Sequence, residues 1–236
     1  MLYAVLSAVV FYSQTAEATY YETHFIEPPR AHYDRNALKM EAYRWPNGIV
    51  PYQFDASCGQ RQCQPAILNA IEVLHRINCV RFVPKSVDQV EHIRFHHSKH
   101  GCGSWVGYRP NRSEPLDVRL DDACLGVTGA VQHELLHVLG LFHEHTRPDR
   151  DEYVEILWDN IEPNFRQNFV KGSYEYMDTF GLPYDYESLM HYPSFAFARP
   201  GSTVTMLSRQ NRSSEFGQTK GASFWDLEKV KQMYEC

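Results

Sequence analysis

Residues His133 to His143 spell H-E-x-x-H-x-x-G-x-x-H, and no other stretch of this 236-residue chain restricts its folding as tightly. Residues four apart on an α-helix lie on one face a turn apart, so His133 and His137 present their rings together. Glu134 sits beside them, within reach of a metal-activated water without taking a ligand position. Leu135, Leu136, Val138 and Leu139 cover the remaining faces, which predicts a buried helix. Gly140 can adopt the left-handed conformation that ends a helix and turns the chain, bringing His143 back to the same point. Three imidazoles with one position open describe a catalytic zinc centre, because structural zinc sites close with four protein ligands.

A second signal lies downstream, where Ser188-Leu189-Met190-His191-Tyr192 has the form of a Met-turn. Met190 reads as a soft apolar floor under the histidines, since a thioether is a poor zinc ligand beside imidazole. The helix motif, its continuation Glu144-His145-Thr146-Arg147-Pro148-Asp149-Arg150 and this turn together resemble the astacin family of zinc metalloendopeptidases, within the metzincins. The resemblance extends to Trp45-Pro46-Asn47-Gly48-Ile49-Val50-Pro51-Tyr52, to Cys79–Val83, to Gly101–Gly107 and to Tyr234-Glu235-Cys236. It covers about residues 36–236.

That resemblance implies an α+β fold of two metzincin-like lobes. The N-terminal lobe would hold a twisted mixed sheet with helices, and the C-terminal lobe would be mostly irregular with a final helix. It implies one Zn²⁺ per chain on His133, His137 and His143, with Glu134 as general base. Tyr192 would bind zinc at rest and swing to stabilise the oxyanion. Glu144 would bind, through water, the amino group of the mature N-terminus, which aligns with Asn36, so an activating protease is expected to cut after Arg35. Arg147 and Asp149 are expected to form hydrogen bonds beneath the site. Six cysteines in an exported chain suggest disulfides whose pairing sequence alone leaves open. The family implies Cys79–Cys236 and Cys102–Cys124, leaving Cys58 and Cys63 for a local bridge.

The chain departs from the family pattern twice. Residues 19–35 contain no F-x-G-D motif to block the metal; Asp34, Glu22 and Glu27 are the acidic alternatives, and nothing selects among them. Before the last helix, the family's Ile-Gly-Gln-Arg is replaced by Phe216-Gly217-Gln218-Thr219-Lys220, where Lys220 reads more readily as a solvated side chain than as a cationic subsite. His92, His96, His97 and His100 lack a common helical face and read as surface or loop histidines. His145 and His191 flank site residues without evident ligand roles, His191 shaping the turn.

Leu2–Tyr12 is an apolar run too short to span a bilayer, followed by the small-x-small triplet Ala16-Glu17-Ala18. The expected organisation is a signal peptide at 1–18, a propeptide at 19–35 and one catalytic domain at 36–236. Asn111 and Asn211 begin glycosylation sequons suited to a secreted, extracellular protein. A net charge of −6 without a basic stripe excludes nucleic acid as partner, and no further segment suits a membrane. A monomer acting on extended protein or peptide substrates is expected, and a chain ending at Cys236 is expected to carry no appended modules.

Period-two and apolar runs predict strands at Ile49–Phe54, Cys79–Val83, His92–Phe95 and Leu116–Leu120. Pro65 opens a helix with Ile67, Ala70, Ile71, Leu74 and Ile77 on one face, giving a parallel crossover unit. Leu116–Leu120 is expected at the sheet edge, pairing with substrate. The zinc helix should run from Thr128 to Leu139. The last helix, Ser223–Tyr234, opens on a capping box of Ser223 and Asp226, with Leu227, Val230 and Tyr234 inward. The competing reading is a catalytically inactive secreted homologue serving as a binding module; such decay usually removes Glu134 or a ligand, and all are present.

Overall fold

The computed structural model describes residues 9–10, 21–22, 37, 41–59, 63–212 and 216–236. The expected signal segment falls almost wholly outside the described residues, as do Glu27, Asp34, the Arg35–Asn36 cleavage point and Ser213 of the second sequon. Val9–Val10 pairs antiparallel with Tyr21–Glu22 ahead of the main domain.

The core sheet starts with β1, Ile49–Phe54, whose Val50 and Tyr52 point inward. The chain crosses through α1, Cys63–His75, to β2, Arg81–Pro84, which lies parallel to β1 in the register Val50–Phe82. Ile67, Ala70, Ile71 and Leu74 form the buried stripe of α1, the i, i+3, i+4, i+7 spacing of a helix packed on one side. The helix starts two residues ahead of Pro65, which occupies the first turn, where a missing N–H breaks no helical bond. It stops before Ile77 because Asn78 takes a left-handed φ of 51°. Cys79 and Val80 leave that turn, so β2 begins later than the apolar run suggests.

On the other side of β1 lie β3, Ile93–His97, and β4, Leu116–Leu120, both parallel, giving the order β2-β1-β3-β4. Leu116, Val118 and Leu120 face the core; Asp117, on the opposite face, binds Arg94 of β3 through two hydrogen bonds of 2.8 and 3.1 Å. The outer edge of β4 is not open along its length, which corrects the expectation of a substrate-pairing edge there. Arg119 exchanges both main-chain hydrogen bonds with Gly103 (3.0 and 2.9 Å), an antiparallel bridge that makes the sheet mixed. The rim of the sheet is therefore the Gly103 segment.

A short helix α2, Asp122–Leu125, is capped by the Asp121 side chain and leads into α3, Thr128–Leu139. Every residue of α3 from Gly129 onward is buried, with α1 and α2 packed against the helix. Beyond it the chain is dominated by 3₁₀ turns, at Glu144–Thr146, Arg150–Glu152, Trp158–Asn160 and Pro163–Phe169. Between them, β5 (Val154–Ile156) and β6 (Met206–Ser208) form an antiparallel pair that periodicity did not reveal, being only three residues each. A second apolar cluster gathers Val154, Ile161, Phe169, Phe197, Met206 and Phe216 around Tyr192.

The final helix α4, Phe224–Tyr234, has the capping box in both directions, Ser223 Oγ accepting from Asp226 N–H (2.9 Å) and Asp226 Oδ2 accepting from Ser223 N–H (2.9 Å). Leu227, Val230 and Tyr234 pack on the core as expected, and the inward face also carries charged residues. Val230 and Met233 are fully buried, but Asp226 and Lys229 are buried with them, while Leu227 and Tyr234 are only partly covered. The disulfides are Cys58–Cys63, Cys79–Cys236 and Cys102–Cys124. Among the described residues no helix is long and apolar enough to cross a membrane.

Candidate metal centre

Helix α3 carries His133 and His137 one turn apart, and Gly140 ends it with φ 113°. A Cβ is strained at that angle, so glycine permits the turn. The turn returns His143 to the helix, and one ring nitrogen from each of the three histidines lies within 4.8 Å of the others. The ring centroids are 4.6 Å (His133–His137), 4.9 Å (His137–His143) and 5.4 Å (His133–His143) apart. Two tautomers follow from the partners: His133 Nδ1 meets Leu189 O at 2.9 Å and His137 Nδ1 meets Leu141 O at 2.7 Å. A carbonyl only accepts, so each Nδ1 carries the proton and each Nε2 is the basic nitrogen, the one able to ligate a metal. Buried imidazoles converging in this way fit a borderline-soft divalent ion such as zinc.

Glu134 is fully buried beside the triad, and Ser104 Oγ donates to its main-chain oxygen at 3.0 Å. Burial works against the charge of Arg119 on β4, and the Glu134 carboxylate is the leading influence sustaining it. Tyr192 is buried, its ring 4.3 Å from that of His143 and stacked at 4.2 Å on His145. His145 Nε2 is 3.0 Å from Asn168 O. His191 lies between Tyr184 Oη (2.7 Å) and Tyr192 O (2.6 Å), and burial pushes its pKa down to about 4, so it is neutral. These two histidines wall and orient the tyrosine, a role that spacing alone did not disclose. Met190 is buried in the main core.

Glu144 is fully buried and heavily engaged. Its Oε1 accepts from Arg147 Nη1 and from Asp185 N–H, both at 3.0 Å, and its Oε2 accepts from Lys229 Nζ at 2.6 Å. Burial alone would raise its pKa, but Lys229 and then Arg147 reverse the sign and hold it below the ordinary value. Arg147 also donates to both oxygens of Asp149 (2.9 and 2.8 Å) and to the carbonyls of Leu182 and Pro183. Asp226 does more than cap α4: it accepts from Ser188 Oγ (2.6 Å) and Leu189 N–H (2.8 Å) of the Met-turn. Sequence reasoning missed Lys229 and this second role of Asp226. The available signal was a charged pair at i, i+3 on the stripe that Val230 and Met233 also occupy.

Other candidates fall elsewhere. His92, expected at the surface, is buried, its Nδ1 2.7 Å from Val90 O; His97 contacts Asp122 at 3.1 Å and His100 is exposed. Among the described residues the only further metal-like grouping is Cys102, Asp121 and Cys124, whose sulfurs form a disulfide. Lys220 is exposed, and so are Asn111 and Asn211.

A zinc-type helix ended by a left-handed glycine, with a Met-turn bonded to its first histidine, defines a metzincin-like α+β protein. Over residues 37–235 the chain matches the astacin peptidase family, and it belongs to that family. It is 40% identical to zinc metalloproteinase nas-14 of Caenorhabditis elegans, over 85% of this chain and 40% of that protein. It is 34% identical to zinc metalloproteinase nas-4 of the same organism, over 86% of this chain and 62% of that one. The chain thus spans less than two thirds of these relatives. Among solved structures it resembles high choriolytic enzyme 1, a hatching enzyme zinc-protease from Oryzias latipes, with TM-score 0.75, 30% identity, and coverage of 85% of this chain and all of that one. Myroilysin shares the fold at TM-score 0.55 and 21% identity, over 83% of this chain and 97% of that one.

Proposed function

We propose that this chain is a secreted zinc metalloendopeptidase that hydrolyses peptide bonds in extended protein or peptide substrates. The observation that carries this reading is the convergence of three buried imidazoles beside a buried glutamate. His133, His137 and His143 would hold one zinc ion, with the Tyr192 hydroxyl as a further ligand. When bound, zinc acts as a Lewis acid toward the scissile carbonyl and lowers the pKa of water. Glu134 takes a proton from the attacking water and delivers it to the departing amine. Tyr192, held between His143 and His145, donates a hydrogen bond where negative charge develops on the carbonyl oxygen. The Nδ1 bonds of His133 and His137 hold both rings in orientation and leave each Nε2 facing the site.

The proposed maturation is removal of residues 1–18, then cleavage after Arg35 by a trypsin-like protease. Ala37 supports it, being fully buried and bridged to Leu141, so the start of the domain is built into the zinc region. N-terminal sequencing of active protein should find Asn36 first; another start refutes this cleavage. The activity itself is tested with Glu134→Ala. Cleavage of a denatured protein substrate should fall at least about 10³-fold, in the upper part of the usual range for an acid–base group because the residue serves two proton transfers. Bound zinc should remain stoichiometric, and a chelator should silence the wild type. Wild-type protein with bound zinc and no cleavage of any peptide would instead establish a binding module.

A further inference from the structure

The three histidines are not held alike. His133 and His137 share one buried helix and each donates from Nδ1 to a carbonyl, whereas His143 lies beyond the left-handed turn at Gly140. The His143 carbonyl accepts from Thr146 Oγ1 at 2.7 Å and its ring lies against Tyr192, and the next residue, Glu144, anchors the main chain that follows. The Glu144 N–H donates to Met190 O at 2.9 Å, and its side chain is fixed by Arg147, Asp185 and Lys229.

Two cations, Arg147 and Lys229, bind the two oxygens of Glu144. Arg147 is shared between Glu144 and Asp149, one positive charge against two negative ones. Lys229 supplies the second positive charge from α4, where it is 1% exposed. A carboxylate as deeply buried as Glu144 keeps its position only while it stays paired, because an uncompensated charge is expelled or neutralised. One turn before Lys229, Asp226 grips the Leu189 N–H, and Leu189 O accepts from His133 Nδ1. Helix α4 therefore reaches the metal centre by two arms, Asp226 toward His133 and Lys229 toward His143.

We infer that Lys229 is a positioning residue for the metal centre, acting through Glu144 to hold His143 in the triad. The inference rests on the metallopeptidase reading above and assigns the role to a side chain of this chain's own last helix. Any amino group released by cleavage after Arg35 would meet a Glu144 already neutralised.

The test compares the full-length wild type with Lys229→Met, Lys229→Arg and the double variant Glu144→Gln/Lys229→Met. Each is stripped with chelator and titrated with Co²⁺, recording the visible ligand-field bands and the affinity, with thermal unfolding in parallel. Lys229→Met should bind Co²⁺ at least tenfold more weakly and with shifted bands, while Lys229→Arg, keeping the charge, stays within about threefold of wild type. Should Lys229→Met not fold, the double variant, which removes the unpaired charge but also the Nζ bond that fixes residue 144, is read in its place and should show weaker Co²⁺ binding than wild type by a smaller factor. Wild-type bands and affinity in a folded Lys229→Met or double variant overturn the inference and leave the peptidase reading intact. A wild type that takes up no Co²⁺ overturns that reading, and this inference with it.

Discussion

Two side chains make opposite demands on their surroundings. Tyr192 must be rigid yet present its hydroxyl, and stacking on His145 and His143 supplies the rigidity through the ring alone. Tyr192→Phe should lower kcat by about 10²-fold with little change in KM, the usual cost of losing one oxyanion donor. A variant as fast as wild type on a peptide substrate would remove Tyr192 from the mechanism. His75, far from the metal, must stay neutral. Its Nε2 accepts from Phe82 N–H at 2.9 Å, and burial, then Arg81, lowers its pKa. The unfolded chain takes up this proton near the ordinary value of about 6.5 while the folded ring resists. The contribution is therefore complete above that pH and shrinks as pH falls below it. Urea unfolding at pH 7.5 and pH 5 should show a smaller loss in His75→Gln, which cannot titrate, than in wild type. The identities of His133, Glu134, His137 and His143 were legible because a helix repeats along the chain. Lys229 was not, because the partner that explains it, Glu144, lies 85 positions away.

Among elements, α3 is the most tightly constrained, and its glycine near the N-terminus shows why. A Cβ on Gly129 would sit 1.9 Å from Thr219 O. The residue is small to let the 216–221 segment lie against the helix, not to supply unusual backbone angles. Gln132 Oε1 of α3 fastens that contact by accepting from Ala222 N–H at 2.9 Å, while Gln218 Nε2 donates to Gly221 O at 2.8 Å and stiffens the segment itself. Gly129→Ala should destabilise by about 1–3 kcal/mol, the usual range for overpacking, measured by urea unfolding. An unchanged or raised stability would mean the segment yields freely. Helix α1 and strand β4 were readable at this scale because their buried faces repeat at 3.6 and two residues, and β1 because Val50, Pro51 and Tyr52 form one buried run. The 3₁₀ turns and the β5–β6 pair were not, since they are too short to establish a period and their order comes from side chains such as Arg147 and Arg150 binding distant carbonyls.

At the scale of the molecule, the closing disulfide unites regions that sequence keeps apart. Cys79 and Cys236 are 157 residues distant, so the bridge restricts most of the unfolded chain. Replacing both with Ser should cost about 2–5 kcal/mol in chemical unfolding, whereas removing Cys58–Cys63, which spans 5 residues, should cost less. Equal losses would show that the effect is local strain rather than chain restriction. The bridge also holds the end of α4, the helix bearing Asp226 and Lys229. That placement has a consequence for biosynthesis. A nascent polypeptide emerging from the ribosome exposes its histidine motif well before the helix that steadies it is made. Until residues 226–229 have left the exit tunnel, the contacts of Asp226 with Leu189 and of Lys229 with Glu144 cannot form, so the ligands exist as sequence before the groups packed behind them.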